Sequence, residues 1–208
     1  MPLEATIIST GEELLLGRVP DTNSAFIARH LAGPGFQVRR VVAVGDDPAS
    51  LRLEIERSLR DSKLVLVTGG LGPTQDDRSR AAMASALGLE LALDDDSRRH
   101  VEERLRAYGR QATEAQLRQA RFPRGATIFP NPHGTARGFA CESNGRWLVA
   151  MPGVPREMEV MLVEQALPFL VERLAPERRI TVETVQLFPI SESEVDERLL
   201  DLTAPERN

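Results

Sequence analysis

The sequence predicts an α/β sandwich: a mostly parallel sheet with helices on both faces. Strand-like and helix-like stretches alternate from the first residues onward, which is the pattern of a parallel sheet with helical crossovers. Residues 64–67, Leu-Val-Leu-Val, are wholly apolar, as a strand covered on both sides should be. Capping residues also stand at the start of the first helices.

The elements follow in order. Residues 5–9 are a short β-rich run that ends at Thr10-Gly11 and reads as a buried strand. Asp21-Thr22-Asn23-Ser24 offers helix caps, and Phe26, Ile27 and Leu31 follow at helical spacing. Gly33-Pro34-Gly35 stops that helix. Residues 37–44 form a second strand. Asp47-Pro48 is a cap followed by proline at the first helical position, with Leu51, Ile55 and Leu59 on one apolar face. The third strand, 64–67, leads through a glycine loop to a helix ending at Leu87, where Gly88 stops it.

Residues 94–108 and 113–120 read as surface helices whose mixed Arg and Glu form a solvated face. Residues 126–129 are a short strand. Segments 138–142 and 146–151 flank Ser143-Asn144-Gly145, a hairpin signal. Residues 154–167 are helical, and Pro168 kinks or restarts the helix. Residues 181–188 alternate like a strand, and Ser191 with Glu194 makes a capping-box pattern for a last helix.

Bulk numbers set the limits. A chain of 208 residues suffices for one well-buried domain plus a small appendage. We expect that domain over 1–172 and a partial α+β extension over 173–208. The extension is too small to fold alone, so it packs on the main domain or belongs to a module cut short. With 41% apolar and 27% charged residues, the chain is globular rather than disordered. A formal net charge of -5 argues against a general nucleic-acid binder, while a local basic face stays open. One Trp and one Tyr argue against a stacking platform for single strands. The single cysteine, Cys141, excludes an internal disulfide framework and fits a reducing cytoplasm, where we expect the protein to be. The start, MPLEATIIST, reads as neither a signal peptide nor a membrane anchor.

Several constellations can carry chemistry. In Thr68-Gly69-Gly70-Leu71-Gly72-Pro73-Thr74, three glycines after a buried strand let backbone N–H groups approach a bulky anion, and the next helix adds its positive end. No Lys-Ser/Thr pair follows, so this is not a Walker loop, and the spacing is not the dinucleotide fingerprint. A tight strand-to-helix turn is the plainer alternative. Gln75-Asp76-Asp77 follows. One such carboxylate is a cap; a pair is also how a divalent cation is brought to phosphate oxygens, so Asp76 and Asp77 are candidate metal ligands. Ser79 caps or donates a hydrogen bond. Asp46, in Val44-Gly45-Asp46-Asp47-Pro48, either faces the same ligand or is a solvated turn residue; Asp47 is the N-cap. Thr10, Gly11 and Glu13, with Asn23, form a polar loop that reads a ligand's hydroxyls or base, or is capping chemistry alone. Two turn-rich loops could close over the site, one with Gly134 and Thr135 and the other with Pro152 and Gly153. His133 reads as a surface residue.

The segments STGEELLLGRVPDTNSAFIARHL, VGDDPASL, VTGGLGPTQDD, NPHGTARGF and MPGVPREM occur in that order. With them, residues 3–170 resemble the N-terminal domain of CinA-type proteins, itself similar to the MoaB/Mog molybdopterin-binding domain. The resemblance implies a three-layer α/β/α sandwich with a hairpin, followed by a short C-terminal β-α extension. It implies metal-dependent ADP-ribose pyrophosphatase activity with a divalent ion (Mg, Mn, Co or Ni), or, as in the Mog branch, binding of molybdopterin and ATP. By position it places the functional aspartates on Asp46 and Asp77, and the ligand loop on Gly69, Gly70, Gly72 and Thr74. Glu13 and Asn23 match the family's glutamate and asparagine. The C-terminal deamidase domain of full-length members is not expected here, so that activity is not transferred. The chain departs from the family after the loop, where Asp76-Asp77-Arg78-Ser79 puts a cation at a usually apolar position and keeps a hydroxyl at the next. The expected partners are a nucleotide or pterin, with no nucleic acid and no membrane, in a homodimer or a trimer. A binding module without turnover is the alternative reading, and a silent dimerisation domain a weaker third.

Overall fold

The computed structural model describes residues 3–72, 79–176 and 185–203. In chain order these form β1 (Leu3–Thr10), α1 (Glu12–Leu15), α2 (Thr22–Ala32), β2 (Phe36–Val44), α3 (Pro48–Asp61), β3 (Leu64–Thr68), α4 (Ser79–Leu87), β4 (Leu91–Leu93), α5 (Asp95–Ala107), α6 (Glu114–Leu117), β5 (Arg121–Pro123), β6 (Thr127–Phe129), β7 (Gly138–Ser143), β8 (Arg146–Met151), α7 (Pro155–Met161), α8 (Leu167–Leu174) and α9 (Glu192–Thr203). Six strands make one sheet in the order β2-β1-β3-β8-β7-β6. β1 pairs parallel with β2 and β3, and β3 pairs parallel with β8. The β7–β8 hairpin and β6 add the antiparallel pairs.

The sheet is covered on both faces, and the strands show it residue by residue. Side chains alternate across a strand. Ile8, Val65, Val67 and Leu148 therefore enter one core with Ile55 of α3 and Met83 of α4. Their neighbours Ile7, Leu64, Leu66 and Val149 enter a second core with Ile27 of α2 and Met158 and Met161 of α7. β3 is buried along its whole length. Each fully buried Leu or Ile contributes roughly 1.5–3 kcal/mol, so the centre of the sheet is the stable frame on which the loops stand.

The caps work as expected. Asp21 accepts from Ser24 N and Asp47 from Ser50 N; Asp94, read as the first residue of a helix, also serves as a cap and accepts from Ser97 N. Ser191 Oγ accepts from Glu194 N at 3.4 Å, half of the expected box. β2 is an edge strand, and its register against β1 slips between Ala5 and Thr6, which leaves Arg39 as the extra residue of a bulge.

Three features differ from expectation. β4 and β5 pair as a separate two-stranded antiparallel sheet that the sequence did not suggest. Of the two outcomes expected at Pro168, a kink or a restart, the helix does not restart. It widens into a π turn over Leu162–Ala166 and continues to Leu174. Proline lacks an N–H and its ring crowds the carbonyl four residues back, and the wider turn relieves both problems. In the strand expected over 181–188, residues 181–184 lie outside the described residues, and 185–188 form no strand. No helix among the described residues is long and apolar enough to cross a membrane.

Candidate functional site

The strands β1, β2, β3 and β8 point their carboxyl ends the same way, so the loops that follow them meet at one edge. That is where open parallel sheets hold ligands. Gly11 N donates to Val44 O at 3.0 Å and Gly69 N to Met151 O at 3.0 Å, tying neighbouring loops together. Two glycines make the third loop possible. Gly69 has φ +105° and Gly70 φ +64°. A Cβ on Gly69 would lie 2.5 Å from the Thr10 carbonyl oxygen, and one on Gly70 would overlap the Ser79 hydroxyl. No other residue fits that turn without displacing the wall.

Asn23, in the first turn of α2, braces the loops. Its Nδ2 donates to Thr68 Oγ1 at 3.0 Å and to Gly153 O at 2.9 Å. Thr68 Oγ1 in turn donates to Pro152 O at 3.0 Å. One amide thus joins the loops after β1, β3 and β8, and the buried Thr68 hydroxyl is used in the bracing. Asn23 Oδ1 is buried and has no hydrogen-bond partner among the described residues. Below it, Ser9 Oγ and Ser24 Oγ lie 2.7 Å apart.

The carboxylates have distinct settings. Asp46 Oδ2 accepts from Glu12 N at 3.2 Å and so caps the short helix α1. The Glu13 carboxylate lies over Gly11, where a Cβ would collide with it. Glu157, at the start of α7, accepts from Asn131 Nδ2 at 2.6 Å. Asn131 is buried and organises its loop: Nδ2 also donates to Ala136 O at 2.9 Å, and Oδ1 accepts from His133 N and Gly134 N, each at 3.0 Å. His100 Nε2 lies 3.0 Å from Gly134 O and donates to it in the tautomer protonated there.

These loops enclose a cavity of about 760 Å³, within the size range of small-molecule sites. Of the residues singled out in the sequence, Thr10, Gly11, Glu13, Asn23, Asp46, Thr68, Gly69, Gly70, Gly72, Thr135, Pro152 and Gly153 line it. Ser79 and Gly134 stand behind its wall: Ser79 is buried against Gly70, and Gly134 packs on the Glu157 carboxylate. Thr74, Asp76 and Asp77 lie outside the described residues. The lining adds residues the sequence did not mark as ligand contacts. Asp21 reads there as a cap alone, yet it walls the cavity, as does Glu157. Four carboxylates (Glu13, Asp21, Asp46 and Glu157) line the space, and no Lys, Arg or His does so among the described residues. Leu14, Val19 and Val154 add apolar surface to the lining. Among the described residues no three acidic, histidine or cysteine side chains gather as a metal centre.

Comparison with known proteins agrees with this architecture. Residues 6–172 match the family described as "Probable molybdopterin binding domain". A CinA-like protein of Geobacter metallireducens is 42% identical over 200 residues, covering 96% of this chain and 48% of that protein. A CinA-like protein of Anaeromyxobacter sp. is 43% identical over 198 residues, covering 94% and 47%. The chain thus spans about half the length of the curated relatives it matches. Among solved structures, the protein CinA from Thermoplasma acidophilum is 36% identical with a TM-score of 0.72, covering 83% of this chain and 97% of that one. The molybdopterin biosynthesis enzyme MoaB from Thermus thermophilus, at 24% identity and a TM-score of 0.55 over 83% of this chain and 94% of that one, shares the fold. The family match over residues 6–172 and the identity to CinA-like proteins lead to one conclusion: this chain belongs to the molybdopterin-binding domain family and, within it, to the CinA-like proteins.

Proposed function

We propose that the chain is a metal-dependent nucleotide pyrophosphatase acting on ADP-ribose-like substrates. The observation that carries this reading is the cavity's composition: backbone N–H groups of a glycine loop on one wall, four carboxylates, and no basic side chain among the described lining residues. A pyrophosphate carries at least two negative charges, and facing Glu13, Asp21, Asp46 and Glu157 it needs a counter-cation. Oxygen donors are what a hard divalent ion takes, with water and substrate oxygens completing its shell. Asp77 and Asp76, together with Asp46, are the residues we assign to hold it. When bound, such an ion polarises phosphoryl oxygens and acidifies a coordinated water. The chain's own part is to bind and orient. The N–H groups of Gly70, Leu71 and Gly72 are the ones we assign to phosphate oxygens, the apolar lining covers a base or ribose, and Asn23 fixes the loops against one another. Hydrolysis adds water across the P–O–P bridge and gives AMP and ribose 5-phosphate.

A screen of nucleotide diphosphates against Mg, Mn, Co and Ni with product analysis tests this. AMP formed from ADP-ribose only with metal is the expected result, abolished in Asp77→Asn with the fold intact. No turnover with any of the four metals, or full rate in Asp77→Asn, overturns it.

One observation favours a second reading, a pterin- or nucleotide-binding module without turnover. The Asp46 carboxylate is engaged as a helix cap. Calorimetric binding of molybdopterin, ADP-ribose or AMP without product is the outcome that reading predicts. The boundary near residue 172, the cytoplasmic setting and a homodimer are part of the same proposal; limited proteolysis and sedimentation test the first and last.

A further inference from the structure

Arg80, the second residue of α4, is only 5% exposed. Its Nη1 donates to Leu71 O at 2.7 Å, and its Nη2 donates to Arg137 O at 3.2 Å. The guanidinium carbon sits 5.3 Å from the centre of the Phe122 ring. Leu71 belongs to the glycine loop. Arg137 closes the 131–137 loop, whose Thr135 and Ala136 form another wall of the cavity. Arg137 is itself anchored on α5, with Nη1 donating to Ser97 Oγ at 3.2 Å and lying 4.0 Å from the Asp94 carboxylate.

We propose that Arg80 is a positioning residue: one buried guanidinium clamps the glycine loop and the 131–137 loop, and so fixes how two walls of the ligand cavity stand to each other. The side-chain chemistry supports this. A guanidinium is planar, always charged and rich in fixed donors, so it holds two carbonyls at a set separation; an ammonium is a point charge that satisfies them without fixing their geometry. Burying that charge is costly unless its donors are met, so neither carbonyl can leave without a penalty. The stacking on Phe122 holds the fork in place from a third direction. Arg80 is not among the residues that line the cavity; it acts on the cavity through Leu71 and Arg137.

The test compares Arg80→Lys and Arg80→Met with the unmodified chain. Hydrogen exchange should speed up at least tenfold at the amides of 70–72 and 135–137 together in both variants. The amides of Ile7, Val65 and Leu148 should keep their protection. Calorimetric affinity for ADP-ribose should fall at least tenfold in Arg80→Lys even though the charge is retained. Should Arg80→Met not fold, Arg80→Gln, which keeps an amide donor for one carbonyl, takes its place and should free one loop more than the other. Unchanged exchange in both loops of Arg80→Lys overturns the proposal, as does loosening of the sheet amides to the same degree. The ligand arm rests on the pyrophosphatase reading. If the unmodified chain does not bind ADP-ribose, that reading fails and the exchange arm alone decides the role of Arg80.

Discussion

Toward the amino end of the sheet, Thr6 Oγ1 and Ser62 Oγ close on each other at 2.8 Å, and Lys63 N donates to Glu4 O while Trp147 N donates to Lys63 O. At the carboxyl end, Thr68 Oγ1 spans from Asn23 to Pro152 across an open cavity. The same small hydroxyls serve both ends. At one end they pair with a near neighbour and seal the sheet; at the other they reach across loops and tie them together. The stability of the frame and the shape of the site are therefore set by different residues, and substitutions should separate them.

The largest effect should come from Gly70→Ala. Its methyl would overlap the Ser79 hydroxyl at a backbone angle of φ +64°. Overpacking costs roughly 1–3 kcal/mol and left-handed backbone about 1–2 kcal/mol more. We expect ligand affinity to fall by more than tenfold on titration, with a lower melting temperature. Next come Thr68→Val and Thr6→Val. Each leaves a polar group without its partner at a cost of about 1–3 kcal/mol, seen as similar drops in denaturant midpoint. Thr68→Val should also weaken ligand binding, whereas Thr6→Val should leave it alone. Equal losses of binding in both would erase the difference between the two ends.

Titration supplies the smaller effects. Burial pushes the Cys141 thiol up from its ordinary value of 9.0 to about 12. An acid whose pKa is raised by folding holds its proton longer in the native chain, so this contribution is complete below pH 9 and declines between pH 9 and about 12. Native protein at pH 8 should resist iodoacetamide, and denatured protein should react. Asp47 is held below its ordinary value of 3.8 by the Ser50 side chain and then the Ser50 backbone N–H. Its small contribution is present above pH 3.8 and is lost as the pH falls through the lower native value. Asp47→Asn should flatten that acid limb of a stability-versus-pH curve, a shift near the limit of detection for so exposed a cap.

Much of the frame was legible because its signals are local. The unbroken apolar run of β3, the Asp21 and Asp47 caps and the Asn144-Gly145 turn each act within a few residues. β4 and β5 were not legible: three residues each, with Pro123 in β5, give no periodicity to read. The π turn also escaped, since the choice between breaking and widening a helix at Pro168 rests on the packing of Leu162, Ala166 and Leu170. In the site, the glycine loop, Asn23 and Asp46 were marked by motif. Asp21 and Glu157 as cavity walls and Arg80 as a clamp depend on contacts between distant segments. Nothing in the run around Arg80 sets it apart from the exposed arginines elsewhere in the chain.

The bulge at Arg39 bears on how copies of the protein meet in solution. β2 is nine residues long and lies at the edge of the sheet, so its outer row of N–H and C=O groups is a template on which another strand could grow. An extra residue there twists the row out of line. Arg39, pairing with Glu4, adds a charged side chain at the bulge, and an incoming strand would have to accommodate it. The irregularity that looks like a flaw in the β1–β2 ladder is what discourages one molecule from extending its sheet into the next.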